Sequence, residues 1–239
     1  DGALSPAWSP DGASIAYQGV DPQTGLFNGL WIAAADGSDP RRMPGTDASD
    51  RAPSWSPDGQ SLLFESWRDG TGGLYRVDLA SGEVSAVFVH HPVSSERPVW
   101  SPDGETIAFI LRRAMNTGEV RYLYLIDADG ANPRQVTDLD QVSSAAWSPD
   151  GSRLVVAASR APFSSDILLV DPATGEVEPL TQGKTDVAPT WSPDGAYIAF
   201  VRVGELVLIR ADGTGERVIA RLPDTLGSTG LSWKAPAAR

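Results

Sequence analysis

Apolar and polar residues along this chain follow a two-residue beat that restarts about every 45 positions. Five times a short apolar stretch appears: Ile15-Ala16-Tyr17, Leu62-Leu63-Phe64, Ile107-Ala108-Phe109, Leu154-Val155-Val156 and Ile198-Ala199-Phe200. The outer members are two apart, the spacing of a strand face turned to a core, and the middle one is apolar too. Such a strand is covered on both faces and is predicted to be central in its sheet. A second apolar run follows in each unit: Leu30 to Ile32, Leu74 to Val77, Leu123 to Ile126, Ile167 to Val170 and Leu206 to Ile209. Each run closes on a turn signal, namely Asp36-Gly37, Ser81-Gly82, Asp129-Gly130, Thr174-Gly175 or Asp212-Gly213. A more polar segment follows the turn, as at Arg134 to Thr137 and Glu216 to Ala220, and has the character of an edge strand. Every unit is therefore predicted to hold four short strands, A to D, joined by hairpins.

Strand A is located by a pentapeptide. Trp-Ser-Pro-Asp-Gly starts at Trp8, Trp55, Trp100, Trp147 and Trp191, with spacings of 47, 45, 47 and 44, and Ser232-Trp233 begins an unfinished copy. Trp ends strand A and is expected to pack between neighbouring sheets. Pro sets φ for the first turn position, Asp bonds nearby backbone, and Gly takes the positive φ that restarts strand B. Asp11, Asp58, Asp103, Asp150 and Asp194 are thus turn residues, one per unit and too far apart to share an ion. A four-stranded sheet cannot cover its own two faces, whereas a ring of such sheets can. The fold predicted is all-β: one β-propeller domain over residues 1–239, with repeats starting near residues 5, 52, 97, 144 and 188 and a partial A-type strand at 229–234.

The pentapeptide, the following Ile-Ala-Phe pattern and the stretch SWRDGTGGLYRVDLASG at residues 66–82 resemble the TolB-like propeller repeat, a relative of the WD-repeat blade. The resemblance runs from Ser5 to Trp233. It implies a β-propeller and bacterial cell-envelope company: proteins that dock partner proteins, and the non-catalytic propellers that precede hydrolase domains in prolyl-oligopeptidase-type peptidases. A periplasmic or secreted location is implied by the resemblance alone. Propellers of this type usually close with six blades, which would need about 270 residues. Strands B, C and D occur here five times, so five blades are favoured over an incomplete six-bladed ring.

Composition narrows the partners. With 31 acidic and 19 basic residues the net charge is −12, and no Lys/Arg stripe is present to neutralise phosphates, so nucleic acid is not an expected partner. No apolar run is long enough to insert into a membrane. There is no cysteine, hence no thiol nucleophile or thiolate metal site, and only two histidines. A G-x-S-x-G nucleophile elbow is absent, and Gly183-Lys184-Thr185 lacks the first glycine of a phosphate loop.

Variation between repeats falls in the D–A and B–C loops, which share one face of a propeller, while the A–B and C–D turns share the other. Ligand contacts favour loops held by a rigid frame. Entering strand A, the chain brings Asp50, Arg51, Glu96, Arg97, Ser143, Asp186 and Ser228 to equivalent places near the mouth of the central channel. Three acids round one opening suffice for a cation or a basic ligand; alternatively they pair with Arg51, Arg97 or adjacent blades. His90, His91 and Trp67 are candidate partner anchors. Adjacent His residues in an extended strand point opposite ways, so one metal does not take both. No catalytic residue, cofactor or resident metal is expected. The reading is a non-catalytic protein- or peptide-binding scaffold using the D–A/B–C face. The alternatives are a gating or regulatory propeller of a larger peptidase-type enzyme and a propeller that binds a metal or small ligand.

Overall fold

The structure, a computed structural model, describes residues 3–21, 23–90, 93–116, 118–161, 164–222 and 231–234. Its strands form five sheets of four antiparallel strands, each sheet ordered as it occurs in the chain. Blade 1 is β1 (Ala3–Trp8), β2 (Ser14–Val20), β3 (Phe27–Ala34) and β4 (Arg41–Arg42). Blade 2 is β5 (Arg51–Trp55), β6 (Ser61–Ser66), β7 (Gly73–Asp78) and β8 (Val84–Phe88). Blade 3 is β9 (Ser94–Trp100), β10 (Thr106–Met115), β11 (Gly118–Asp127) and β12 (Arg134–Gln135). Blade 4 is β13 (Val142–Trp147), β14 (Leu154–Ala161), β15 (Ser164–Val170) and β16 (Val177–Pro179). Blade 5 is β17 (Asp186–Trp191), β18 (Tyr197–Arg202), β19 (Glu205–Arg210) and β20 (Arg217–Arg221). The expected five blades are present. Residues 231–234, within the expected partial strand, pair with no strand but lie against β1, where the Trp8 amide donates to Ser232 Oγ at 3.3 Å.

Burial follows the apolar beat. Leu62, Leu63 and Phe64 are all fully buried, as are Ile107, Ala108 and Phe109, because strand B is flanked by a blade on each face. The D strands β4, β12 and β20 are wholly exposed. Four apolar clusters fill successive blade interfaces, and the motif tryptophans enter them in order: Trp55 between blades 1 and 2, Trp100 between 2 and 3, Trp147 between 3 and 4, and Trp191 between 4 and 5. Each ring of this kind removes on the order of 150–250 Å² from water.

The pentapeptide turn is the same object five times. Gly12, Gly59, Gly104, Gly151 and Gly195 have φ between 66° and 75°, where a side chain is disfavoured. The aspartate accepts from the backbone amide two residues on, as Gln60 N to Asp58 Oδ1 at 2.9 Å. The serine adds a second tie: Ser56 Oγ donates to Asp58 Oδ1 at 2.6 Å and accepts from Ser61 N at 3.0 Å, closing the hairpin behind the turn. Gly59 sits beside Pro10, Gly104 beside Pro57, Gly151 beside Pro102 and Gly195 beside Pro149, so each turn rests on its predecessor.

Candidate channel-mouth binding site

Strand A of each blade carries an irregularity that shapes the opposite end of the channel. Register shifts interrupt A–B pairing between Leu4 and Ala7, Arg51 and Ser54, Val142 and Ser144, and Val187 and Thr190, and opposite Ala108 to Ile110 in blade 3. At the bulge, Ser5, Ala52, Arg97 and Ala188 adopt φ of 48–53°, each immediately before a proline. A non-glycine residue in that region costs about 1 kcal/mol or more and persists only where the surroundings hold it. Bulges of this kind re-aim side chains and amides at rims and sites. Here the Arg97 amide turns to the preceding blade and donates to Glu65 Oε2 at 2.9 Å.

The bulges line a cavity of about 540 Å³ on which all five A strands converge, together with Leu231 and Ser232. Its charged lining is Arg51, Arg97 and Glu65, and its other polar side chains include Gln18 and Ser144. Gln18 and Glu65 occupy one equivalent position of strand B, where the other three blades place Ile110, Ala157 and Val201. Polarity therefore concentrates on the blade 1 and blade 2 side. Gln18 is 3% exposed and its Nε2 has no hydrogen-bond partner among the described residues. Ser144 Oγ also lacks one. Burial raises the carboxyl pKa of Glu65 above its ordinary value, against the lowering effects of the Arg97 amide and the Arg97 and Arg51 charges; neighbouring Glu96 pushes the same way as burial. Arg51 lies 6.0 Å from the Phe27 ring, and neither Arg51 nor Arg97 makes an ion pair among the described residues.

The acids expected to line this mouth are turned into their own blades. Asp50 and Asp186 are 0% exposed and do not line the cavity. Asp50 Oδ2 accepts from Arg68 Nη2 at 2.8 Å and from the Asp47 amide at 2.8 Å. Asp186 takes a forked pair from Arg202, Nε to Oδ1 at 2.6 Å and Nη2 to Oδ2 at 3.0 Å. Glu96 Oε1 is 2.6 Å from Arg112 Nε. The pairing partners are thus arginines from the B-strand ends and B–C loop, not Arg51 and Arg97. The physical reason is local: Asp50 lies just before β5 and turns back to Arg68 and the Asp47 amide, while Arg51, the first residue of β5, lines the channel. Burial leaves the Asp50 carboxyl above its ordinary value even with Ser66, the Asp47 amide and Arg68 opposing. Ser143 donates from Oγ to Ala157 O at 3.2 Å inside blade 4, while Ser144 is the residue that lines the channel. Ser228 and His91 lie outside the described residues. His90 is exposed and stacks on Phe88 at 6.1 Å. Trp67, 36% exposed, lies 5.4 Å beneath the Arg112 guanidinium of the next blade. Among the described residues no group of three or more His, Asp or Glu side chains is placed to hold a metal.

Sequence reasoning missed Gln18, Glu65 and Ser144. Gln18 and Glu65 interrupt the apolar beat of strand B, and that interruption was the available signal.

Five four-stranded blades round a cavity on which every A strand converges define a five-bladed β-propeller. The TolB beta propeller domain matches residues 2–121, and the chain belongs to that family. Residues 148–221 match the dipeptidyl peptidase IV N-terminal region. No curated protein matches the chain significantly. Among solved structures, TolB from Acinetobacter baumannii is 25% identical with a TM-score of 0.78 over 98% of this chain, which spans 57% of that protein. A putative TolB from Agrobacterium tumefaciens is 21% identical, TM-score 0.78, covering 91% of this chain and 80% of its own. An oligogalacturonate lyase from Vibrio parahaemolyticus shares the fold at 15% identity and a TM-score of 0.65, covering 96% of this chain and 70% of its own.

Proposed function

We propose that this domain is a non-catalytic binding module of the cell envelope, periplasmic or secreted, that docks a segment of a partner protein at the channel mouth on the D–A/B–C face. The observation that carries the reading is the convergence of all five A strands on one cavity of about 540 Å³ in which polar side chains remain unpartnered. A cavity of that size falls in the range of ligand pockets, and its wall of strands is rigid enough to present those groups without reorganisation. Membership of the TolB beta propeller family supports a docking role.

The test is selection of peptides from a random displayed library on the immobilised chain, repeated on Ala145→Trp, which fills the cavity from the β13 side. Enriched peptides should bind the parent chain and lose affinity at least tenfold on the filled variant. Enrichment that survives the filled cavity would place the binding surface elsewhere.

A second reading is supported by the match of residues 148–221 to the dipeptidyl peptidase IV N-terminal region: a gating propeller of a larger peptidase-type enzyme. It requires a hydrolase domain in the same polypeptide. The encoding reading frame on either side of this segment decides it.

A further inference from the structure

The net charge of −12 suggests a surface that repels anions, yet the channel lining inverts that sign. Asp50, Asp186 and Glu96 are each held by an arginine of their own blade. The exposed D–A loop acids Asp138 and Asp140 are not part of the lining. Among the described residues, two guanidiniums without an ion-pair partner, Arg51 and Arg97, flank the one acid of the lining, Glu65: Arg51 is its cross-strand partner, and the Arg97 amide is bonded to it. An independent observation points to a ligand in the same place. Gln18, a wall residue with 3% exposure, holds an amide donor that has no partner among the described residues, a state that costs about 1–3 kcal/mol for a buried polar group unless something accepts from it.

We infer that the channel mouth takes an acidic segment of a partner protein, with Asp or Glu side chains seated against the guanidiniums of Arg51 and Arg97 and accepting from the Gln18 amide. This rests on the docking reading above and names its chemistry. Guanidinium–carboxylate contacts are charge-assisted and forked, and roughly twice as strong as neutral hydrogen bonds. Two free guanidiniums match a segment bearing more than one carboxylate, whereas a chain terminus brings one. Phe27, beside Arg51, supplies an apolar wall for the methylenes of the ligand. Glu65 opposes the ligand through its like charge, and its raised affinity for a proton reduces that opposition as the medium acidifies.

The experiment uses the ¹⁵N-labelled chain and four short Gly/Ser peptides: one with two glutamates and blocked ends, its glutamine twin, its lysine twin, and the glutamine twin with a free C-terminus. The side-chain amide signals of Gln18 report occupancy, and the fluorescence of Trp8 and Trp55, both in the cavity lining, reports affinity. The glutamate peptide should shift the Gln18 signals and bind at least about tenfold tighter than either glutamine peptide, a ratio one charge-assisted contact can supply. Arg51→Gln with Arg97→Gln should remove that advantage, Arg51→Lys with Arg97→Lys should keep part of it, and Glu65→Gln should tighten binding about two- to fivefold. Preference for the lysine twin, equal binding of the glutamate and glutamine peptides, no binding of any peptide, or binding only of the free C-terminus would each overturn the assignment. Library peptides that seat in the channel without acidic enrichment would remove the carboxylate claim and leave the docking reading standing. Failure of every library peptide to seat there would remove the docking reading itself.

Discussion

On the turn face, Asp11, Asp58, Asp103, Asp150 and Asp194 stand exposed and each accepts from a serine two residues earlier at 2.5–2.6 Å. At the mouth, Asp50 and Asp186 are sealed from solvent and held by Arg68 and Arg202. The serine hydroxyl and backbone amides pull the turn carboxyls below their ordinary value, whereas burial pushes Asp50 above it. The same side chain thus closes a turn on one face and anchors an arginine on the other. Repetition marks the first use, because every blade needs the turn. Irregularity marks the second: beside Asp50 and Glu96, each satisfied inside its blade, Arg51 and Arg97 are left lining the channel.

The largest stability effect should come from breaking the mouth pairing. Arg202→Ala leaves the Asp186 carboxylate buried without its forked partner and should cost about 3–5 kcal/mol in urea unfolding. Replacing both residues by leucine should recover most of that loss, since a buried pair is costly to break and cheap to replace. A loss below 1 kcal/mol for the single variant would mean that the acid is not sealed.

Next in size is the turn. Ser56→Ala removes the donor to Asp58 and leaves the Ser61 amide without its acceptor, which should cost about 1–2 kcal/mol. Ser101→Ala and Ser148→Ala should match it within about 0.5 kcal/mol, because their hydrogen bonds are the same. Unequal costs would show that the turns are not interchangeable.

Acid separates the two uses by sign. The turn carboxyls are depressed in the fold, so the stability they supply is present above 3.8 and lost as pH falls below it through their folded values. Glu65 is raised, so its contribution improves as pH falls through its folded value toward 4.5. Urea midpoints across pH should show a shallow gain on acidification followed by a steep loss below 3.8. Glu65→Gln should shrink the gain and leave the loss unchanged.

Much of this was legible in the sequence. The two-residue beat located strands B and C, and the pentapeptide located the end of every A strand at Trp8, Trp55, Trp100, Trp147 and Trp191. Local chemistry dictates both, so local reading suffices. The direction of the mouth side chains was not legible in the same way, because it depends on bulges at Ser5, Ala52, Arg97 and Ala188 and on partners 16 to 18 residues away in sequence. One signal existed: Arg202 ends β18 directly across from Asp186, and opposite charges across a strand pair attract. Gln18 and Glu65 were visible only as polar breaks in an apolar pattern.

The smallest stability effect belongs to the residues with the largest expected effect on binding. Arg51→Gln and Arg97→Gln, exposed and without ion pairs among the described residues, should together cost at most about 1 kcal/mol, through the lost support of the buried Glu65 carboxylate. The most direct test of the account is to measure, side by side, the unfolding midpoint and the affinity for the two-glutamate peptide in the parent chain, in Arg51→Gln with Arg97→Gln, and in Ser56→Ala. The account predicts that the arginine variant loses the peptide at a stability cost of at most about 1 kcal/mol, while the serine variant lowers the midpoint and, at temperatures where it remains folded, keeps the peptide. A larger loss of stability in the arginine variant, or undiminished peptide binding by it, would contradict the division of the molecule into a face that closes the fold and a face that binds.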